Sequence, residues 1–252
     1  LLLLPLEPIL KTLWYGQVNI FIMWLVLESF LGEHRRGASL FAAMATAIKL
    51  TPGFFTFFFL ALRSWRDRVV VVLMLVATVA IGFVVQPNAA QAYWTKLLFK
   101  MDRVGPIEYV YNQSANGFLW RVIGPGGSRA VWILVVSFLV IFGSIMALRL
   151  FTAGETLWAL SMVAAVTVLT SPISWSHHFV VIAIWLAALF GDIVRMRIQW
   201  WSFGFLYLLF FTATFVFKII PHTKHAEFSL VGWQWLMANQ YVFAAIAIVV
   251  VA

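Results

Sequence analysis

The chain has 252 residues, of which 63% are hydrophobic and 10% charged, with a mean hydropathy of +0.97. No soluble globular fold has enough interior to hide that much apolar surface, so the chain reads as an all-α polytopic membrane protein. A net charge of +8 on so few charged residues fits lipid headgroups and phosphates rather than nucleic acid, and without cysteine there are no disulfides or thiolate metal sites.

No initiator Met or cleavable leader opens the chain, and it ends in an apolar run, Val242 to Ala252. It is therefore expected to be the C-terminal part of a longer protein, with 1–252 forming a single transmembrane domain. Leu1 to Leu6 reads as the tail of an upstream membrane helix stopped near Pro5 and Pro8, and Lys11 to Tyr15 as a stretch along the interface. The first full span follows Gly16-Gln17-Val18-Asn19 and runs to about Gly32. It ends at Glu33-His34-Arg35-Arg36, a short basic loop that the positive-inside rule assigns to the cytoplasm.

Residues 38–62 lie between that loop and a second basic cluster, Arg63 to Arg68, and one span cannot begin and end on the same side. Two half-length helices, 38–49 and 53–62, meeting at Lys49-Leu50-Thr51-Pro52-Gly53 resolve the conflict as a re-entrant pair. Irregular backbone at that depth needs cover from protein or a watery cavity, into which Lys49 then points. The alternative is one kinked helix with Lys49 snorkelling.

Val69 to Val85 crosses outward to an extracytoplasmic loop, 87–129. Within it Trp94, Leu97, Leu98 and Met101 fall at helical spacing opposite Lys96, Lys100 and Arg103, which predicts a helix on the membrane surface. Tyr109-Val110-Tyr111 leads to Asn112-Gln113-Ser114-Ala115-Asn116-Gly117, a short helix with Arg121, and a Gly124 to Gly127 break. Further spans are expected over 130–148, 156–169, 179–194 and 200–217, the last leading to Lys218 and the loop Pro221-His222-Thr223-Lys224-His225.

Between the spans 156–169 and 179–194 lies a dense polar stretch, Thr170-Ser171-Pro172-Ile173-Ser174-Trp175-Ser176-His177-His178. Such residues are costly beside hydrocarbon unless they line a polar cavity or its mouth. The alternative is an ordinary turn, with Pro172 breaking a helix and the histidines facing water. In the expected topology this stretch shares the outer face with Gln17, Asn19, Asn112 to Asn116 and His222 to His225, which suits an enzyme acting on a lipid headgroup. Lys49, Arg121, Lys218 and the histidines are the candidates to neutralise a phosphate. Gln17, Asn19, Asn112, Gln113 and Asn116, with Ser174 and Trp175, are the candidates for sugar and acceptor contacts. Neither a spaced metal-ligand set nor a Gly-rich nucleotide loop is found, and no cofactor is expected.

Gly-Gln-Val-Asn (16–19), Ala-Ile-Lys-Leu-Thr-Pro (47–52), Asn-Gln-Ser-Ala-Asn-Gly (112–117) and Ser-Pro-Ile-Ser-Trp-Ser-His-His (171–178), in this order, resemble glycosyltransferase family 87. The resemblance implies a GT-C-like membrane fold in the plasma membrane and an active site on the extracytoplasmic side. It also implies a polyprenyl-phosphate-linked sugar donor and a glycolipid acceptor, with mannose and phosphatidylinositol mannoside the nearest likeness. Arabinofuranosyltransferase members share much of the pattern, and a carrier or flippase that binds the same headgroup without chemistry is the alternative from another class. The implied reaction is an inverting transfer, with positive charge around the leaving phosphate and a carboxylate deprotonating the acceptor. His177 and His178 are the expected catalytic pair, His177 preferred as nearer the Pro172 break. The general base of such enzymes is expected upstream of residue 1; within the chain Asp102 and Glu108 come next, then Glu7 and Glu227.

Overall fold

The computed structural model describes residues 1–32, 37–100, 104–223 and 225–252. The basic loop 33–36, Met101, Asp102, Arg103 and Lys224 lie outside the described residues. The described chain is all-α, and four of its segments are long and apolar enough to cross a membrane: Trp65–Val85, Arg129–Thr152, Ser176–Val194 and Trp200–Ile219. The chain forms two compact units, 20–105 and 1–19 with 106–252.

In the smaller unit, α2 (Asn19–Leu31) is followed by α3 (Ala38–Ile48), α4 (Gly53–Leu62) and α5 (Trp65–Val85). Helix α3 stops at Lys49, whose extended backbone (φ −150°, ψ 130°) breaks the helix before Pro52 starts the next one. At 1.5 Å per residue the 11 residues of α3 reach about 16 Å, roughly half of a hydrocarbon core. Small residues let it lie close to its neighbours: Ala38, Ala42 and Ala43 are buried against Phe59 and Val71. Thr56 Oγ1 donates to the Ala42 carbonyl at 2.8 Å, which fastens α4 back onto α3. Ser39 Oγ donates to Asp67 Oδ1 at 2.8 Å, and Ser64 caps α5, its hydroxyl accepting from Asp67 N and donating to Asp67 Oδ2. Both α3 and α5 therefore begin at one end of this unit, as a re-entrant pair requires. Cysteines at Gly37 and Arg66 are then expected to react with a membrane-impermeant maleimide from the same side; labelling from opposite sides would show that 38–62 crosses.

The loop after α5 opens on a short helix. Pro87, with φ set in advance for a first helical turn, starts α6 (Pro87–Thr95), and the helix ends at Lys96 (φ −130°). A short 3₁₀ turn, Leu97–Phe99, follows. Of the stretch read as a surface helix, Trp94 and Thr95 end α6, Leu97 to Phe99 form the 3₁₀ turn, and Met101 to Arg103 lie outside the described residues.

The larger unit is built around α9 (Thr156–Thr170), whose residues from Trp158 to Leu169 are all buried. Around it pack α7 (Ala115–Ile123), α8 (Pro125–Thr152), α10 (Ile182–Val194) and α13 (Gln240–Val251). Gly143 lets α8 approach α9 so closely that a Cβ there would collide with Val166, the small-residue contact by which membrane helices associate. At one end of α9, Glu155 binds Arg195 at 2.7 Å and Arg197 at 2.6 Å. The polar stretch 171–178 lies at the other end. Helices α1 (Glu7–Trp14), α11 (Trp200–Ile219) and α12 (Trp233–Ala238) complete the unit.

Candidate functional site

At the end of α9 the chain turns at Ser171 and Pro172 and becomes extended, and there it meets the segment that precedes α7. Asn112 and Trp175 form an antiparallel bridge. Gln113 N donates to the Ser174 carbonyl at 2.7 Å and Ser176 N to the Tyr111 carbonyl at 2.9 Å. Buried loops leave backbone groups that must find partners, and here side-chain amides supply them. Asn112 donates to the Ile107 carbonyl at 2.8 Å and accepts from Ser174 N at 3.0 Å. Gln113 Nε2 donates to the carbonyls of Val110 and Ala238 at 2.6 and 2.7 Å, and its oxygen accepts from Tyr241 N. Asn116 donates to the Pro172 carbonyl at 3.1 Å. Gly117 passes over Asn112 so tightly that a Cβ would stand 2.6 Å from the Asn112 carbonyl oxygen.

These amides were the candidates for sugar hydroxyls. At 0–2% exposure Asn112, Gln113 and Asn116 have no surface to offer a sugar, and they shape the floor of the site instead. Arg121 is in the same position. Its Nε and Nη2 both reach Asn239 Oδ1, at 2.9 and 2.6 Å, and its Nη1 reaches the carbonyls of Glu108, Tyr109 and Asn112. Burial pulls this guanidinium down to about 9, still charged at neutral pH, and it ties the loop to the start of α13. Among the phosphate candidates on this unit it is a buried clamp, whereas Lys218 is exposed at the last turn of α11.

The third wall is α1. Thr12 Oγ1 and Asn19 Nδ2 both donate to the His177 carbonyl, at 3.0 and 2.9 Å. Ser176 Oγ and Tyr241 OH donate to the two oxygens of Glu7, at 2.7 and 3.0 Å. Burial pushes the Glu7 carboxyl above the usual carboxylate range, with the Ser176 and Tyr241 hydroxyls and Lys11 pulling the other way. Glu7 is fully buried, with a hydroxyl bonded to each oxygen, and so holds Ser176 in place. Gln17 is exposed and Ser174 buried, while Trp175, His177 and His178 are half-buried.

An aromatic and imidazole surface faces outward over this floor. Tyr15 meets His177 edge-on at 5.5 Å, His177 meets His178 at 4.7 Å, and Tyr109 meets Trp175 at 6.1 Å and His222 at 5.8 Å. Beside it Glu108, Tyr109, His222, His225 and Glu227 line a cavity of about 310 Å³, with His225 Nδ1 2.7 Å from Glu108 Oε1. Glu227 is buried and accepts from Val110 N at 3.4 Å. Among the described residues no three of His, Asp and Glu come together as metal ligands.

Sequence reading missed Lys11, Tyr15, Tyr109 and Tyr111 as members of this surface. Lys11 and Tyr15 stand four apart at the end of a helix and so share a face, and a turn closed by Asn112 N donating to the Tyr109 carbonyl at 2.7 Å brings the Tyr109 and Tyr111 rings to 5.4 Å. In the smaller unit Lys49 is half-buried in a groove of about 640 Å³, alongside Thr46, Thr78, Gln86, Tyr93 and Trp94.

The model for glycosyltransferase family 87 matches residues 1–172. A polyprenol-phosphate-mannose-dependent α-(1-2)-phosphatidylinositol mannoside mannosyltransferase of Mycobacterium tuberculosis is 32% identical over 253 residues, 98% of this chain and 58% of that protein. The Mycolicibacterium smegmatis protein of the same description is 30% identical over the same shares of both chains. A phosphatidylinositol pentamannoside mannosyltransferase of M. smegmatis is 31% identical over 76% of this chain and 47% of its own length. The chain thus spans about half the length of the curated relatives it matches. No solved structure matches it.

Proposed function

Because the chain belongs to glycosyltransferase family 87, we propose that it is part of a membrane enzyme that transfers mannose from polyprenyl-phosphate-mannose to a phosphatidylinositol-mannoside-type glycolipid, at the outer face of the plasma membrane. The observation that carries the reading is the joining of the 107–114 and 171–178 loops under one surface of aromatic rings and imidazoles. A sugar can stack on its rings, and a phosphate can accept hydrogen bonds at its edge. The basic groups Arg195 and Arg197 at the opposite end of α9 and α10 suit a cytoplasmic end, which leaves the aromatic surface outside.

In the proposed reaction the bond between the mannose anomeric carbon and the phosphate oxygen breaks as the acceptor hydroxyl oxygen bonds to the opposite face of that carbon. The acceptor proton passes to a carboxylate base, and polyprenyl phosphate leaves as the anion. His177 and His178 donate to the phosphate oxygen as charge builds on it. Ser174 holds the extended backbone beneath, Trp175 offers a ring to the sugar, and Gln17 and Lys218 stand at the rim. Lys49 lines its own groove with Thr46, Gln86 and Tyr93, where its ammonium can take a donor phosphate.

The test is to incubate the full-length protein in detergent with polyprenyl-phosphate-mannose and phosphatidylinositol mannosides and to look for the acceptor with one mannose more. Transfer only from a polyprenyl-phosphate-arabinose donor, or donor binding without any transfer, would overturn it. Lys49→Met is expected to weaken donor affinity about tenfold without lowering the melting temperature. Wild-type affinity in that variant would show that Lys49 merely snorkels.

A further inference from the structure

With Arg121 committed to carbonyls inside the fold, the larger unit needs another cation if a phosphate is to be neutralised beside the imidazoles. Lys11 stands there. Its Nζ is 5.4 Å from the ring centre of Tyr15 and 5.8 Å from that of Tyr111. The Tyr15 ring is in turn the one that meets His177 edge-on, and Tyr111 meets His222 at 6.1 Å. The next residue, Thr12, is hydrogen-bonded to the His177 carbonyl, so the backbone itself holds Lys11 close to His177.

What holds the ammonium matters as much as where it is. Ring faces attract a cation without cancelling its charge, whereas a carboxylate would compete with any incoming anion. Among the described residues no ion pair involves Lys11. Glu7, one helical turn away, acts on Lys11 only at a distance, its two oxygens bonded to Ser176 and Tyr241. Burial pushes Tyr111 up to about 12, so its ring faces the ammonium as a neutral phenol. The lysine is half-buried, so part of it stays open to a ligand.

The geometry points to Lys11, clamped between Tyr15 and Tyr111 beside His177, as the anion seat of the outer-face site, which takes the phosphate ester of a lipid substrate. The inference rests on the glycosyltransferase reading for the nature of the ligand. A phosphate ester is supplied by two sources, the polyprenyl phosphate of the donor and the phosphodiester of a phosphatidylinositol acceptor.

Titration calorimetry on the full-length protein in neutral detergent separates them, with farnesyl phosphate and dihexanoyl-phosphatidylinositol as probes and farnesol as the uncharged control. Lys11→Met should lose about tenfold or more in affinity for at least one phosphate probe, with farnesol unchanged. The probe that suffers identifies the source. Lys11→Arg should keep most of the affinity, because a guanidinium also stacks on tyrosine. The dependence of binding on salt should flatten in Lys11→Met, a readout that mere packing would not move. If Lys11→Met fails to fold, Lys11→Gln answers the same question. Wild-type affinity for both probes in a folded, uncharged variant overturns the seat, even if the wild type transfers mannose. Lys11-dependent binding by a protein that transfers no mannose leaves the seat standing and removes the glycosyltransferase reading.

Discussion

His177→Ala is expected to lower mannosyl transfer by about 10²-fold or more, with donor affinity changed only a few-fold and the melting temperature unaltered. The size follows from the loss of one donor that acts as charge develops on the leaving phosphate. The split between turnover and affinity follows because such a group binds the transition state better than the ground state. The fold should tolerate the change, since Thr12 and Asn19 grip the carbonyl of residue 177 and not its ring. His178→Ala should do the same to a smaller degree. The measurements are initial rates and donor affinity on purified variants with matched unfolding curves. Two well-folded variants with wild-type turnover would remove both histidines from the reaction.

Arg121→Met is expected to act on the fold first. The substitution strands three loop carbonyls and the Asn239 amide oxygen in a site where the arginine is 5% exposed. Removing one partner from a buried charged network costs about 3–5 kcal/mol, a large part of the roughly 5–15 kcal/mol that holds a domain folded. Thermal unfolding in detergent should fall by on the order of 10 °C. Lysine should not rescue it, because one ammonium cannot span Asn239 and three carbonyls as a planar fork does. A stable Arg121→Met protein that had lost only donor affinity would return this residue to the phosphate.

Much of the architecture was legible because membrane burial leaves plain marks. The helix pair read as 38–49 and 53–62 forms as Ala38–Ile48 and Gly53–Leu62, since Pro52 and two basic flanks left little other choice. That Asn112 to Asn116 and Ser171 to His178 belong together was also readable, from polar clusters stranded between apolar runs. Which of those groups face outward was not. Asn112, Gln113 and Arg121 are committed to loop carbonyls, and no pattern in sequence says which carbonyls a fold will leave without partners. Lys11 was hidden for the converse reason, since its two tyrosine partners are 4 and 100 residues away.

The bond from Tyr241 to Glu7 joins positions 234 residues apart. A ribosome adding about 5–20 residues per second delivers the hydroxyl roughly 10–50 s after the carboxylate. During that interval water must serve the oxygen that Tyr241 will later take. Pairing with α13 expels that water, so α1, made long before α13, settles only once α13 has arrived. A nascent chain stalled before residue 241 should therefore leave Glu7 and the α1 backbone open to hydrogen exchange, and release past that point should close them.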